Sequence, residues 1–181
     1  MSRIPLVSTA TAPAGSQAAL DQIAGAFGAI PNMFRAVAHS PAALASLWGS
    51  FAALGGGVLP AKLREQIAVA VADRNGCHYC LAAHTALGRK AGASSEEMAQ
   101  AQSGHSDDPG TAAVLAFVSK VVERHGQTDA ADLEALRSAG FDDEAIVEVL
   151  AHVALNLFTN YINIALDVPV DFPAVKLRHA A

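Results

Sequence analysis

The stretch 65–84, EQIAVAVADRNGCHYCLAAH, sets Asn75-Gly76 directly before the only two cysteines, Cys77 and Cys80, and puts His84 three residues after the second. Asn-Gly is a strong turn signal, because both residues tolerate positive φ. A helix over 61–73 must therefore end there and the chain must double back. If the segment from Gly76 is helical, 77 and 80 are one turn apart and so are 80 and 84, which puts all three on one face. The α-carbons of an i,i+3 pair lie about 5 Å apart, inside the window a disulfide accepts. So short a loop constrains little of the unfolded chain, so the pair is suited to opening and closing rather than to stapling. The free amides and positive dipole end at 76–79 predict a stabilised thiolate at Cys77, and less directly at Cys80.

Glu65 belongs to the same unit. Leu63, Ile67, Val69 and Val71 leave helix 61–73 little solvent-facing surface, and carboxylates are rarely buried without a partner. Arg64 and Arg74 are the expected partners, unless Glu65 is chemically employed. The turn at 75–76 lets it approach the cysteines from the neighbouring helix. Peroxide reduction needs a thiolate, an acid for the leaving oxygen, and a second thiol that traps the sulfenic acid. Cys77 and Cys80 supply the thiols, His84 the acid, and Glu65 a base for the thiol proton. Spacing alone does not fix which cysteine attacks.

A zinc site would use Cys77, Cys80 and two of His78, His84 or Glu65. Structural zinc usually draws its other ligands from a second knuckle, and there is no second C-x-x-C, so no metal or cofactor is expected. His78 is expected to face away from the pair. The alternative to catalysis is a non-enzymatic redox-sensing or metal-binding helical oligomer.

The rest of the chain reads as a single all-α domain over 1–181. Hydrophobic residues make up 52% of it, much of that alanine, which favours closely packed helices and an ample core. A formal net charge of -5 without a basic stripe argues against nucleic acid as a partner. No run of 18 apolar residues and no signal-like N-terminus is found, so a non-membrane, cytoplasmic protein is expected. In a reducing cytosol a C-x-x-C points to catalysis, sensing or metal binding.

Residues 1–16 read as an irregular arm whose Ile4, Leu6 and Val7 would dock on something apolar, a second subunit included. Helices are expected over 17–28, after Pro31, from Pro41 to the glycines at 55–57, over 61–73, from 76 to Gly92, after Ser94 or Ser95, over 111–126, after a Thr128 cap, and through 141–168. An extended tail, 168–181, closes the chain. Trp48 and Phe51 are core residues on a broad apolar face, or else walls of a substrate pocket. At an offset of 83 residues LREQIAVAVADRNGCHYCLAAH superposes on IVEVLAHVALNLFTNYINIALD, with Glu65 on Glu148, Cys77 on Asn160 and Cys80 on Asn163. This predicts two related helical hairpins. The arm, the 61–73 pattern, and Phe158, Tyr161 and Ile162 beside asparagines predict a homo-oligomer.

Glu65, Cys77-x-x-Cys80 and His84 follow an E-x11-C-x-x-C-x3-H pattern. In this the chain resembles the AhpD-like alkylhydroperoxidases of the carboxymuconolactone decarboxylase family, most specifically over the redox-site hairpin 60–92, and its FTNYINIALDVPVDFP ending is similar to the peroxidase-related branch. The resemblance implies an all-helical fold, a dimer, trimer or hexamer, and peroxide reduction through a dithiol–disulfide cycle. By position it implies Cys80 as the attacking thiol, Cys77 as the resolving one, and Glu65 and His84 as the proton relay. The electron donor, a protein or a small dithiol, is not carried over. Decarboxylase or lactone chemistry, also known in the family, has no need of a C-x-x-C.

Overall fold

The computed structural model describes residues 2–179; Met1 of the arm and Ala180 and Ala181 of the tail lie outside the described residues. Among the described residues there are nine helices and no strand: α1 Ala14–Phe27, α2 Asn32–Val37, α3 Pro41–Gly55, α4 Ala61–Arg74, α5 His78–Lys90, α6 Ser95–Gln102, α7 Pro109–Glu123, α8 Ala130–Ser138 and α9 Asp143–Ala165. Their starts follow from local chemistry. Ser40, Ser94, Asp108, Asp129 and Asp142 each accept an N–H of the first turn, as short polar side chains do at N-caps. The α8 cap is Asp129, in a reciprocal capping box with Asp132, and not Thr128. A carboxylate is the stronger acceptor at the positive end of a helix.

The fold is built around α4, which packs against α5, α6, α7 and α9. Val69, Ala70 and Ala72 join one apolar cluster with α1–α3, α5 and the tail, while Leu63, Ile67 and Val71 join a second with α7, α8 and the first half of α9. The weak amphipathicity of 61–73 thus comes from a helix enclosed within its own chain. The arm also docks internally. Val7 is buried, Ile4 and Leu6 pack on the first cluster, Arg3 donates to the α9 carbonyls of Ala165 and Leu166, and Arg35 donates to Val7. Neither feature therefore supports an oligomer.

The predicted second hairpin is absent. Residues 143–165 run as one helix, with no counterpart of the Asn75-Gly76 turn. α9 is anchored at its start by Glu148, whose carboxylate accepts the N–H groups of Val58 and Leu59 at 2.7 and 3.1 Å. Gly57 permits this seat, since a Cβ there would run into that carboxylate. By length and composition α9 is one helix long and apolar enough to cross a membrane, with half of its apolar window buried.

The tail is irregular and is held by Asp73, which is fully buried. Its carboxylate accepts from Gln102 Nε2 at 2.6 Å, from the Arg178 and His179 N–H groups at 2.9 and 3.0 Å, and from the His179 ring. Burial alone would raise the Asp73 pKa, but these donors outweigh it and hold it below the ordinary value. Such a carboxylate stabilises the fold above its unfolded-state pKa, and that contribution is lost as pH falls through the lower folded value. Asp73→Asn is expected to cost roughly 1–3 kcal/mol at neutral pH. The deficit should narrow below about pH 4, as followed by thermal unfolding at several pH values and by proteolysis of the tail.

Candidate functional site

Gly76, at φ 68°, ends α4, and the Cys77 N–H bonds back to the Ala72 carbonyl at 2.9 Å, a reversal open to glycine without strain. Cys77 is not in the first turn of α5. It is the N-cap, at φ −87° and ψ 94°, and its Sγ accepts the Cys80 N–H at 3.3 Å. Both cysteines are free thiols and almost fully buried. The sequence-predicted residues come together: Cys77 and Cys80 are adjacent, and His84 lies one turn beyond Cys80 on α5. Glu65 reaches across from α4 to place Oε2 2.7 Å from His84 Nδ1. His84, not arginine, is its partner. Arg64 donates instead to the Leu54 and Gly55 carbonyls that end α3, and Arg74 pairs with Glu123.

α9 contributes groups that the sequence pattern did not assign. Asn163 Nδ2 donates to Cys80 Sγ at 3.2 Å and the Thr159 hydroxyl lies 3.8 Å from the same sulfur. Asn75 Nδ2 donates to Asn160 Oδ1 at 2.9 Å, tying the turn to the same helix. The residues aligned with the cysteines by the 83-residue offset are thus in contact with the thiol unit instead of forming its symmetric copy. Their signal was present in the sequence. His152, Asn156, Thr159, Asn160 and Asn163 recur at three and four over 149–165, a stretch of α9 without Asp, Glu, Lys or Arg, and all five are buried.

These contacts set the charge. Burial alone would push the Cys80 thiol up. The hydrogen bond from Cys77, the positive charge of His84, the Asn163 amide and the Thr159 hydroxyl outweigh it and lower the Cys80 pKa to about 6. Cys77 moves the other way, raised by its hydrogen bond to Cys80, by burial and by the neighbouring negative charge. Two adjacent sulfurs cannot both ionise readily, so the pair shares one proton and Cys77 keeps it. This reverses the expectation drawn from the helix end. Burial would lower the His84 pKa, but the charge and hydrogen bond of Glu65, with Cys80 adding to them, hold it above its ordinary value.

Cys80 and His84 open on an apolar cavity of about 40 Å³, walled by Phe27, Phe34, Phe51, Tyr79 and Leu87 among others. Phe51 is thus a pocket wall. Trp48 stands behind it, edge-on to Phe34 with ring centroids 5.8 Å apart and donating to Gln22. Glu65 and His84 also line a second cavity of about 180 Å³, walled by Arg64, His152 and Asn156 together with Phe51, Leu54 and Leu155. Cys77 and His78 line a separate groove of about 420 Å³ against the end of α9 and residues 167–170. Among the described residues no three His, Cys, Asp or Glu side chains gather so as to hold a metal.

The carboxymuconolactone decarboxylase family model matches residues 39–123, which include the whole thiol unit. Among solved structures, the alkylhydroperoxidase AhpD core of an uncharacterised peroxidase-related protein from Ralstonia eutropha JMP134 is 28% identical, with a TM-score of 0.84 over 94% of this chain and 92% of that one. An uncharacterised peroxidase-related protein from Silicibacter sp. TM1040 is 25% identical, with a TM-score of 0.79 over 91% and 88%. The debrominase Bmp8 shares the fold, at 20% identity and a TM-score of 0.75 over 87% of each chain. No curated protein is similar enough to match.

In the reduced protein, the ultraviolet absorbance of thiolate should titrate as a single thiolate per chain at a pH of about 6, with the second thiol silent through neutral pH. Removing the amide donor by Asn163→Val should move that titration up by about one pH unit or more, the worth of a hydrogen bond to a charged group.

Proposed function

This chain belongs to the carboxymuconolactone decarboxylase family, with the AhpD-like fold, and from that premise we propose that it is a thiol-dependent peroxidase. The observation that carries the reading is the convergence of Asn163, Thr159 and His84 on Cys80 at the wall of a small apolar cavity. In this reading the Cys80 thiolate attacks the distal peroxide oxygen. The O–O bond breaks, Cys80 becomes the sulfenic acid, and the imidazolium of His84 protonates the departing alkoxide or hydroxide. Cys77 then attacks the Cys80 sulfur, closing the disulfide and releasing water. Glu65 holds His84 charged and lines the second cavity, and in this reading that cavity is the route by which protons reach solvent.

A cavity of about 40 Å³ exceeds the roughly 10–15 Å³ that one water needs. It suits hydrogen peroxide or the O–O end of an organic hydroperoxide. The exposed edge of Phe27 and the half-buried Leu87 at its mouth suit an apolar organic group, and we favour small organic hydroperoxides. A reducing compartment such as the cytoplasm would keep the cycle supplied.

Single-turnover peroxide loss by fully reduced protein tests the roles without knowledge of the donor. Cys80→Ser should abolish the burst, and Cys77→Ser should leave one turnover and a sulfenic acid at Cys80 that a dimedone-type probe traps. The rate should fall as pH drops through about 6, where Cys80 takes up its proton, and fall again above the raised His84 value. Glu65→Gln removes the charge that holds His84 protonated, so it should narrow this profile from both sides and slow the burst by about 10²-fold or more. Sulfenic acid on Cys77 in Cys80→Ser, formed at the wild-type rate, would reverse the assignment.

We also propose a homo-oligomer that covers the outer face of α9. Val147, Leu150, Ala154 and Tyr161 lie exposed along one stripe, Val147 by 65% and Tyr161 by 60%, and no charged residue occurs between Glu148 and Asp167. Sedimentation at micromolar concentration should give at least twice the chain mass, and Leu150→Glu with Tyr161→Glu should reduce it. A wild-type monomer would refute the oligomer.

A further inference from the structure

Two sulfur-bearing residues line the apolar cavity, and the peroxidase reading uses only one of them. Beside Cys80 and His84 stands Met33, a buried residue of α2 that has no part in the thiol cycle. Its place is fixed against the thiol unit. The Met33 N–H donates to the Tyr79 hydroxyl at 3.2 Å, Tyr79 precedes Cys80 in sequence, and the Tyr79 ring lies edge-on to Phe172, a further wall of the cavity. In a space of about 40 Å³, where one water takes up roughly 10–15 Å³, a peroxide that reaches Cys80 also lies close to Met33.

A thioether is a weaker nucleophile than a thiolate, so in the reduced protein Cys80 takes the oxygen. Once the pair is closed as the disulfide, Cys80 has no thiolate to offer. Met33 is then the one nucleophilic sulfur in the cavity wall. We propose that Met33 is a second oxygen acceptor of this site: when peroxide arrives faster than the disulfide is reopened, Met33 becomes the sulfoxide and shuts the cavity to further peroxide. The proposal rests on the peroxidase reading and assigns its regulation.

His84 serves this step as both acid and base. A lone pair of Met33 Sδ attacks the distal oxygen, the O–O bond breaks, and the electron pair leaves on the proximal oxygen, which takes a proton from the His84 imidazolium. The sulfur then carries a hydroxyl and a positive charge, and the hydroxyl returns its proton to the neutral imidazole. Met33 has lost two electrons, the hydroperoxide has become an alcohol, and His84 ends as it began. Glu65, 2.7 Å from His84 Nδ1, supplies the charge that keeps the imidazole protonated after the Cys80 charge has gone.

The product suits a block. Oxidation turns an apolar side chain into a polar one, and a polar group buried without a partner is costly. His84, Thr159 and Tyr79 carry the side-chain donors of this wall. A sulfoxide oxygen bonded to His84 engages the proton that a departing alkoxide needs, and the added atom fills part of the cavity. Thiols reopen a disulfide, whereas a sulfoxide needs its own reductase, so the block outlasts the disulfide. Met98, the other methionine among the described residues, is also buried but lines a groove between α5, α6 and the tail and not the cavity. It serves as the internal reference.

The pair is first closed with diamide, so that no thiolate consumes peroxide. On addition of tert-butyl hydroperoxide, peptide masses should show Met33 gaining one oxygen about tenfold faster than Met98 or more. His84→Gln should slow that gain by about 10²-fold, as for a lost acid or base. After the peroxide is removed and dithiothreitol has reopened the disulfide, the burst amplitude should be lost in proportion to the fraction of Met33 sulfoxide. Met33→Leu, which conserves volume, should keep its own burst through the same treatment. The thiol-free Cys77→Ser, Cys80→Ser protein should show the same preference for Met33, so the site is read whether or not the pair closes. Equal oxidation of Met33 and Met98, a burst that survives full Met33 oxidation, or a burst lost equally in Met33→Leu would each overturn the proposal. Met33 oxidised ahead of Met98 in a protein that shows no burst would refute the peroxidase reading and leave Met33 as an oxygen acceptor.

Discussion

A negative charge on a sulfur that is 2% exposed is the constraint from which the rest of this structure follows. Burying an unpaired charge costs several kcal/mol even after relaxation, so it persists only where neighbours supply hydrogen bonds and opposite charge. Cys80 obtains these from Asn163, Thr159 and His84, and His84 in turn keeps its proton because Glu65 stands 2.7 Å away. The chain of compensation runs from α9 through α5 to α4. It explains why α4 turns a carboxylate, Glu65, toward α5.

Compensation at the sulfur gives α9 a buried polar stripe. Beside buried Ile146, Val149, Val153 and Leu155 its inner side carries His152, Asn156, Thr159, Asn160 and Asn163, while Val147, Leu150, Tyr161 and Ile164 face outward. A helix arranged only to bury apolar surface would place those outward residues inside. The apolar outer stripe is the complement of the polar inner one, so the same helix that stabilises the thiolate also presents a surface that a second copy would cover.

What the sequence made legible was local. The Asn75-Gly76 turn, the one-turn spacings of Cys77, Cys80 and His84, and the approach of Glu65 from the preceding helix all depend on residues within twenty of one another, where helix geometry fixes who can meet whom. Caps and breaks placed most helices within a few residues. What the sequence leaves open is of longer range or finer grain. Charge alone pairs Glu65 with arginine, and only packing makes the histidine nearer. The apolar residues of the arm fit a second subunit as well as the end of α9, on which the arm closes. The 83-residue offset by itself predicts a repeated hairpin. α9 is continuous, and Asn160 and Asn163 matter because tertiary packing brings them against the first unit, which a linear pattern does not reveal.

The choice of the attacking cysteine shows why magnitudes have to be compared. A helix N-terminus stabilises a nearby charge by about 0.3–1 kcal/mol, and by about 2 kcal/mol in favourable partly buried sites. Considered alone, this favours Cys77, which caps the helix. But Cys77 is as buried as Cys80, and what favours charge on it is backbone N–H groups alone, that of Cys80 at 3.3 Å foremost. Cys80 has the Asn163 amide at 3.2 Å, the Cys77 thiol and the positive charge of His84, and a hydrogen bond to a charged group is worth about 1.5–3 kcal/mol. Two such bonds and a full positive charge exceed the dipole. Once Cys80 is ionised, its charge opposes a second one on Cys77, and Cys77 becomes the proton donor to its neighbour. The helix end therefore acts indirectly: by fixing Cys77 as the cap it holds a protonated thiol beside the thiolate, poised to become the resolving nucleophile once Cys80 is oxidised and its charge is gone.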